Sequence, residues 1–193
     1  MKRVCVFCGS SPGFRPVYGE AARGFGQLLG QRGIGLVYGG GDVGLMGILA
    51  DAAMAAGSEV VGVIPRALLE REVGHHGLTE LRIVGSMHER KAMMAELSEG
   101  FIALPGGFGT FEEFCEVLTW TQLGLHEKAC GLLNVEGFYD PLLALFDKAM
   151  SEGFLRPSNR ELVLAGSDPA WLLDAVLKTR PHAEAKWIGR DES

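Results

Sequence analysis

The sequence predicts an α/β protein, a three-layer sandwich in which helices cover both faces of a central parallel sheet. Two observations carry this prediction. Short apolar runs alternate along the chain with segments of helical pattern, which is typical of the class. The apolar runs are also nearly continuous instead of alternating with polar residues, as expected of strands that are buried on both faces.

The elements follow in order along the chain. The apolar runs predict strands at 4–10, 35–40, 59–65, 80–85, 101–107, 130–135 and 161–165. The helical patterns cover 17–31, 44–56, 86–98, 110–123, 141–152 and 168–179. Pro169 falls in the first turn of the last helix, where proline is favoured. No internal repeat, low-complexity segment or linker interrupts the pattern, so we predict one domain over 1–180 and a polar tail over 181–193.

Composition excludes several classes of function. At 193 residues, with 47% hydrophobic and 22% charged residues, the chain fits a soluble globular protein. No apolar run approaches the roughly 20 residues of a membrane helix. The net charge of −6 argues against a broad nucleic-acid surface, which needs a basic face. An anionic ligand must therefore be held by a local site.

The cysteines form no obvious redox or metal motif. Cys5 and Cys8 make a C-x-x-C, but residues three apart on a strand point to opposite faces. No second C-x-x-C and no clustered histidines complete a metal site. We expect buried, reduced cysteines and a cytoplasmic protein.

Four turns are predicted to meet at one edge of the sheet. They are "CGSSPG" (8–13), "YGGGDVG" (38–44), "GSMHERK" (85–91) and "LPGGFGT" (104–110). In parallel α/β folds ligands bind outside the carboxyl ends of the strands. This edge is therefore the candidate site.

The second turn contains a G-x-G-x-x-G pattern at Gly39, Gly41 and Gly44. A dinucleotide site also needs an acidic residue at the end of the next strand, and that strand ends instead in Pro65 and Arg66. Two interpretations stay open: a phosphate- or ribose-facing turn, or a tight turn that binds no ligand.

The fourth turn is more specific for an anion. Gly106, Gly107 and Gly109 remove side chains, so that backbone N–H groups and the N-terminus of a helix starting near Thr110 are free to bind a negative group. No Gly-Lys-Ser/Thr follows, so the turn is not a Walker loop.

Glu113, which follows that turn, has two interpretations. Thr110 and Glu113 fit a capping box, in which Thr at the N-cap and Glu at N3 bond to each other's backbone N–H groups. Alternatively, the carboxylate acts on the ligand. Glu112 lies about 100° away around the helix, so we expect only one of the two acids to face the pocket.

The third turn opens a helix with two cations on one face. Met87, Arg90, Lys91 and Met94 follow i, i+3, i+4, i+7 spacing, and unpaired cations are seldom buried. Either they extend to solvent or they meet an anion, and the nearby anion site favours the second.

Together these motifs resemble one family. "PGGFGTFEE" matches a P-G-G-x-G-T-x-x-E signature and "MHERK" matches its M-H-x-R-K partner. "CGSS", "YGGG", "TWTQLGLHEK" and "GLLNVEGFYD" follow the same order. Over residues 3–156 the chain resembles the LONELY GUY family, the cytokinin riboside 5′-monophosphate phosphoribohydrolases, which have also carried a lysine decarboxylase label.

The resemblance implies a Rossmann-like homodimer that needs no metal or other cofactor. It implies hydrolysis of the N-glycosidic bond of a purine nucleoside 5′-monophosphate, either AMP or an N6-modified nucleotide. Arg90 and Glu113 correspond to the family's catalytic pair. The implied nucleotide contacts are Glu72, Arg90, Lys91, Gly107, Phe108, Gly109, Thr110, Phe111, Glu112, Glu113 and Thr119. Phe108 and Phe111 stand where tyrosine and leucine are common, which bears on base preference.

Two other functions stay open from the sequence. A decarboxylase of this label needs a pyridoxal phosphate Schiff base, and such enzymes usually need a far longer chain. A non-catalytic nucleotide or molybdenum-cofactor carrier of the same fold would bind its ligand without releasing a base.

Overall fold

A seven-stranded parallel sheet forms the centre of the computed structural model, which describes residues 2–69, 74, 75 and 77–181. The strands are β1 (Arg3–Phe7), β2 (Gly35–Tyr38), β3 (Val60–Pro65), β4 (Glu80–Val84), β5 (Phe101–Ala103), β6 (Cys130–Leu133) and β7 (Val163–Gly166). Their order across the sheet is β4-β3-β2-β1-β5-β6-β7, and every neighbouring pair is parallel. The predicted parallel α/β fold is confirmed.

Eight α-helices connect and flank these strands within the described residues. They are α1 (Pro16–Gln31), α2 (Gly44–Ala55), α3 (Arg66–Leu69), α4 (Met87–Glu96), α5 (Phe108–Gln122), α6 (Asp140–Ser151), α7 (Pro157–Arg160) and α8 (Pro169–Lys178). All six predicted helices are present. The sequence did not predict α3, α7 or a 3₁₀ turn at Val135–Gly137, because a helix of one turn is too short to show periodicity.

The helices form two layers, each with its own apolar core. On one face α1, α2 and α8 contribute Phe25, Leu49 and Leu172. On the other face α4 and α5 contribute Met94 and Phe114, with α6 packed at the margin. The three-layer arrangement is therefore as predicted.

The sequence motif C-x-x-C is divided between these two cores. Cys5 belongs to the core on the α5 face and Cys8 to the core on the α1 face, and both are free thiols. The predicted opposite orientation is confirmed, and it explains why the two cysteines form no disulfide.

The chain order creates a switch point between β1 and β5. After β1 the chain builds β2, β3 and β4 outward on one side, and it then returns to place β5 against the other side of β1. Helix α1 after β1 and helix α5 after β5 cover opposite faces. The loops that follow these two strands therefore diverge, and the crevice between them is where ligands bind in open α/β sheets.

The predicted polar tail over 181–193 lies outside the described residues except for Pro181, and the single domain over 1–180 stays a prediction. None of the described helices is both long and apolar enough to cross a membrane. Within the same residues, no group of three or more His, Cys, Asp or Glu side chains is placed to hold a metal ion.

Candidate active site

A cavity of about 280 Å³ opens at the carboxyl edge of the sheet, beside the switch point. Residues of all four predicted turns line it, so their convergence is confirmed. The lining includes Cys8, Gly9 and Ser10 from the first turn, Gly39 from the second, Met87 and Arg90 from the third, and Gly107, Phe108, Gly109, Thr110, Glu112 and Glu113 from the fourth. Phe108 is 93% exposed.

The N-terminus of α5 supplies unpaired amides to this cavity. Gly107 is the N-cap residue, its backbone is extended, and it makes no side-chain cap bond. The amides of Phe108, Gly109 and Thr110 have no hydrogen-bond acceptor within the described part of the chain. Around Gly107 and Gly109 a Cβ would meet nothing within 4 Å. Free amides at the positive end of a helix, with open space beside them, are suited to bind an anion.

Gly106 sets the shape of the loop before that helix. A Cβ on Gly106 would lie 2.1 Å from the Thr110 hydroxyl oxygen and 2.9 Å from the Gly9 amide nitrogen. The Gly9 amide donates to the Pro105 carbonyl at 3.1 Å. Only glycine therefore allows the loops after β1 and β5 to pack together and leave the α5 amides exposed to the cavity.

The capping-box interpretation of Glu113 is wrong. Because α5 begins at Phe108, Thr110 lies inside the helix and is not its N-cap. A capping arrangement occurs on α4 instead, where the Ser86 hydroxyl accepts from the Glu89 amide and the Glu89 carboxylate accepts from the Gly85 amide. Glu113 is thus free of any role in starting α5.

Glu113 instead faces Arg90 at the cavity wall. Both residues are buried, and Arg90 Nη2 lies 3.3 Å from Glu113 Oε1. Burial raises the pKa of the Glu113 carboxyl, and the charge of Arg90 partly opposes that rise. The Nε of Arg90 is buried and has no hydrogen-bond partner among the described residues. The pair therefore combines a carboxylate of raised proton affinity with a cation that has unused donors.

Lys91 is directed to a different set of carboxylates. It is buried, and its Nζ forms ion pairs with Glu112 and, at 3.0 Å, with Glu116. Arg90 and Lys91 were predicted to meet an anion, and in the structure both pair with carboxylates of α5. Lys91 itself does not line the cavity, whereas Glu112 and Glu113 both do. The expectation that only one of these acids faces the pocket is wrong.

One part of the G-x-G-x-x-G turn faces the cavity and another part is a tightly packed turn, so each of the two interpretations fits part of it. Gly44 has a positive φ of 62°, and a Cβ there would lie 2.3 Å from the carbonyl carbon of Ser10. The Leu45 amide at the start of α2 donates to the Gly9 carbonyl at 3.0 Å. This end of the turn is packed against the first loop, and Gly39 alone of the three glycines lines the cavity.

Two further predicted contacts, Phe111 and Thr119, do not line the cavity. Phe111 packs against Phe138 and Tyr139. Thr119 is exposed farther along α5, and its hydroxyl donates to the Cys115 carbonyl at 2.7 Å. Glu72 lies outside the described residues. Their roles in substrate binding stay predictions.

The structure also adds residues that the motifs did not single out. Cys8, Ser10, Met46 and Leu68 line the cavity. The first two belong to the "CGSS" turn, so its convergence on the site was the available signal. Met46 and Leu68 carry no sequence signal, because an apolar residue near a glycine turn is usually part of the core.

These features define a Rossmann-like α/β protein with a candidate anion site and a buried Arg–Glu pair at its switch point. Residues 46–176 match the family described as "Possible lysine decarboxylase". Relatives that are about half identical extend the match over most of the chain. The chain belongs to the family of cytokinin riboside 5′-monophosphate phosphoribohydrolases, as its motifs indicated.

The similarity to these relatives is high. The chain is 52% identical over 191 residues to the cytokinin riboside 5′-monophosphate phosphoribohydrolase LOG of Oryza sativa subsp. japonica, covering 99% of this chain and 79% of that protein. It is 52% identical to LOG1 of Arabidopsis thaliana, with 95% and 86% covered. It is 53% identical to the probable enzyme LOGL1 of Oryza sativa, with 94% and 82% covered.

Solved structures of lower identity share the fold. The molybdenum cofactor binding protein from Rippkaea orientalis has a TM-score of 0.69 at 20% identity, over 91% of this chain and 96% of that one. The molybdenum cofactor carrier protein from Chlamydomonas reinhardtii has a TM-score of 0.67 at 20% identity, over 91% and 95%. At this identity the likeness establishes the fold alone.

Proposed function

We propose that this protein hydrolyses the N-glycosidic bond of purine nucleoside 5′-monophosphates, with cytokinin riboside 5′-monophosphates and AMP as its substrate class. The observation that carries the proposal is the buried Arg90–Glu113 pair, which lines the same cavity as the free amides at the start of α5. The names of the relatives that are about half identical support the same activity.

The amides of α5 suit the 5′-phosphate of such a substrate. Hydrogen bonds to a charged group contribute about 1.5–3 kcal/mol each, and the helix dipole adds about 0.3–1 kcal/mol. With the phosphate held by Phe108, Gly109 and Thr110, the ribose is expected to extend along the cavity toward Glu113.

Glu113 then acts at the sugar. As the bond from C1′ to the base nitrogen breaks, its electron pair leaves with the base, and positive charge develops on C1′ and the ring oxygen. An ionised Glu113 stabilises that charge and orients the water that adds to C1′. The proton released by this water finally reaches the departing base. The charge of Arg90 favours the ionised form of Glu113 against the effect of burial, and its free Nε donor is available to the nucleotide.

Glu113→Gln tests this assignment. Glutamine keeps the size of the side chain and removes its charge, and no helix cap is lost. We expect adenine release from AMP, measured by liquid chromatography, to fall about 10²–10⁴-fold, while the circular dichroism spectrum and melting temperature are retained. Glu20→Gln, an exposed site on α1, is the matched control and should keep full activity. A folded Glu113→Gln protein with normal turnover would disprove the assignment.

Incubation with AMP also distinguishes a phosphoribohydrolase from a non-catalytic carrier. A carrier would bind AMP and release no adenine, whereas a phosphoribohydrolase produces equal amounts of adenine and ribose 5-phosphate. A panel of AMP and isopentenyl-AMP then identifies the preferred base.

We also propose that the protein is a cytoplasmic homodimer. No residue of α6 is buried, although it carries Leu145 and other apolar side chains. Leu123, Leu125 and Phe154 are exposed as well, and an apolar surface of this kind suits a second copy of the chain. Light scattering should give about twice the mass of 20.7 kDa, and Leu145→Glu should reduce it. A monomer at micromolar concentration would contradict the dimer.

The free cysteines suit a reducing compartment, which cell fractionation tests.

A further inference from the structure

Gly39, the first residue after β2, lies directly against the guanidinium of Arg90. A Cβ built on Gly39 would lie 2.1 Å from Arg90 Nη2, 3.2 Å from its Cζ and 3.3 Å from the Met46 sulfur. Real Cβ atoms do not approach a neighbour as closely as the first of these distances. The space that a side chain at position 39 would fill is therefore occupied by Arg90.

The backbone at this position does not itself require glycine. Gly40 and Gly44 in the same turn have positive φ angles, but Gly39 does not. Residues with side chains adopt negative φ without strain. The guanidinium and the methionine sulfur are therefore what excludes a side chain at Gly39.

Few other contacts hold the guanidinium in place. Its Nη2 lies 3.3 Å from Glu113 Oε1, and its Nη1 lies 3.7 Å from the Met87 sulfur. The first distance is long for a charge-assisted hydrogen bond, and sulfur is a weak acceptor. The Nε has no partner among the described residues. The position of the cation therefore depends on the surface against which it packs.

We propose that Gly39 is a positioning residue of the reaction: its missing side chain creates the slot that keeps the Arg90 guanidinium opposite Glu113. This inference rests on the proposed function, because it gives the slot a purpose in glycosidic hydrolysis. It also assigns a role to the first glycine of the G-x-G-x-x-G turn, which holds no dinucleotide by the sequence criterion.

Gly39→Ala tests the slot. The Nη2 must move by about 1 Å to clear the new methyl group, and displacements of this size cost about 10²-fold in rate when they misalign reacting groups. We expect kcat for AMP to fall about 10²-fold. The affinity for inorganic phosphate, measured by calorimetry, should change less than threefold, because the amides of α5 are untouched. Gly24→Ala, where a Cβ meets nothing within 4 Å, is the matched control with normal kcat.

A double-mutant cycle shows whether Gly39 acts through Arg90. If it does, adding Gly39→Ala to an Arg90→Ala protein should change kcat less than twofold, because the guanidinium that the methyl group displaces is already gone. Equal losses in both backgrounds would overturn the proposal. If Gly39→Ala alone does not fold, the double variant should fold, because it has room for the methyl group; a double variant that also fails to fold would equally overturn it.

A readout that does not need turnover separates this inference from the proposed function. The ¹⁵N–¹H resonance of the Arg90 Nε group, assigned by its loss in Arg90→Ala, should shift in Gly39→Ala and stay in place in Gly24→Ala. Failure of the wild-type protein to release adenine would reject the proposed function and leave this test intact. An unshifted Arg90 resonance in Gly39→Ala would reject the slot.

Discussion

Replacing Lys91 by methionine should show whether this lysine contacts the nucleotide or acts as a counter-ion for α5. Lys91 is buried and pairs with Glu112 and Glu116. Burial alone would lower the pKa of its ammonium, but the hydrogen bonds and charges of the two carboxylates together outweigh burial and raise it above the ordinary value. Methionine has a similar length and no charge. The substitution therefore leaves two carboxylates, four residues apart on α5, without their shared cation.

The cost to stability follows from the exposure of those partners. Breaking a fully buried ion pair costs about 3–5 kcal/mol, whereas an exposed pair contributes about 0.2–1 kcal/mol. The side chain of Glu112 is 54% exposed and that of Glu116 is 24% exposed, so water solvates much of the charge that remains. We expect Lys91→Met to lower the free energy of unfolding by about 1–3 kcal/mol.

The cost to binding comes from the extra negative charge beside the anion site. Arg90 and Lys91 oppose three carboxylates, those of Glu112, Glu113 and Glu116, in the wild-type protein. Removal of one cation doubles the local negative charge that a phosphate meets. At distances beyond direct contact this is worth about 1–2 kcal/mol, so KM for AMP should rise about 5–30-fold.

A second substitution separates the two roles of Lys91. In Lys91→Met/Glu112→Gln the local charge returns to its original value, so a counter-ion role predicts recovery of most of the lost affinity. A lysine that contacts phosphate directly predicts no recovery. KM from adenine release and the urea midpoint are measured for both variants, with Lys148→Met, an exposed lysine paired with Glu152 on α6, as control. An unchanged KM in Lys91→Met, or no rescue by Glu112→Gln, would refute the counter-ion argument.

Two further predictions concern packing and pH. A Cβ on Gly26 of α1 would lie 2.5 Å from the Leu49 carbonyl oxygen, so Gly26→Ala should lower the free energy of unfolding in urea by about 1–3 kcal/mol. Gly24→Ala, on the open side of the same helix, should raise the free energy of unfolding by about 0.4–1 kcal/mol. Equal effects at the two sites would contradict the close packing of Gly26. Burial, and then the charge of Lys128, lower the pKa of His126. Below its ordinary pKa of 6.5 the unfolded chain therefore binds a proton that the folded protein does not, and stability falls as the pH drops through this range. His126→Asn should lose less stability than the wild type between pH 7.5 and pH 5.5, and parallel curves would contradict the assignment.

Most of the fold could be predicted because its strands are buried on both faces. Such strands appear as apolar runs in the sequence, and all seven were predicted. The first residue of α5 could not be predicted correctly, because threonine is a more favoured N-cap residue than glycine, and the sequence offers Thr110 beside Gly107. The helix begins after Gly107 because the backbone is extended at that residue. This conformation depends on how the loops after β1 and β5 pack at Gly106. Helix boundaries set by tertiary contacts leave little trace in local sequence.

The location of the candidate site could be predicted from the sequence, but the contacts between its side chains could not. Strand topology alone brings the four turns to one edge. Spacing also puts Arg90 and Lys91 on one face of α4, but it does not reveal that this face meets three carboxylates of α5. Nor does the pattern of glycines indicate that Gly39 leaves room for a side chain that comes from α4.

The arrangement of charge explains how an acidic helix is compatible with an anion site at its own N-terminus. Three carboxylates within five residues of α5 would repel a phosphate if each were free. Lys91, which does not line the cavity, pairs with Glu112 and Glu116, and Arg90 faces Glu113 at the cavity wall. The amides of the first turn then present a local positive potential to the ligand. Because Arg90 faces Glu113 without a short hydrogen bond, the carboxylate is available for the role at the sugar that we propose for it.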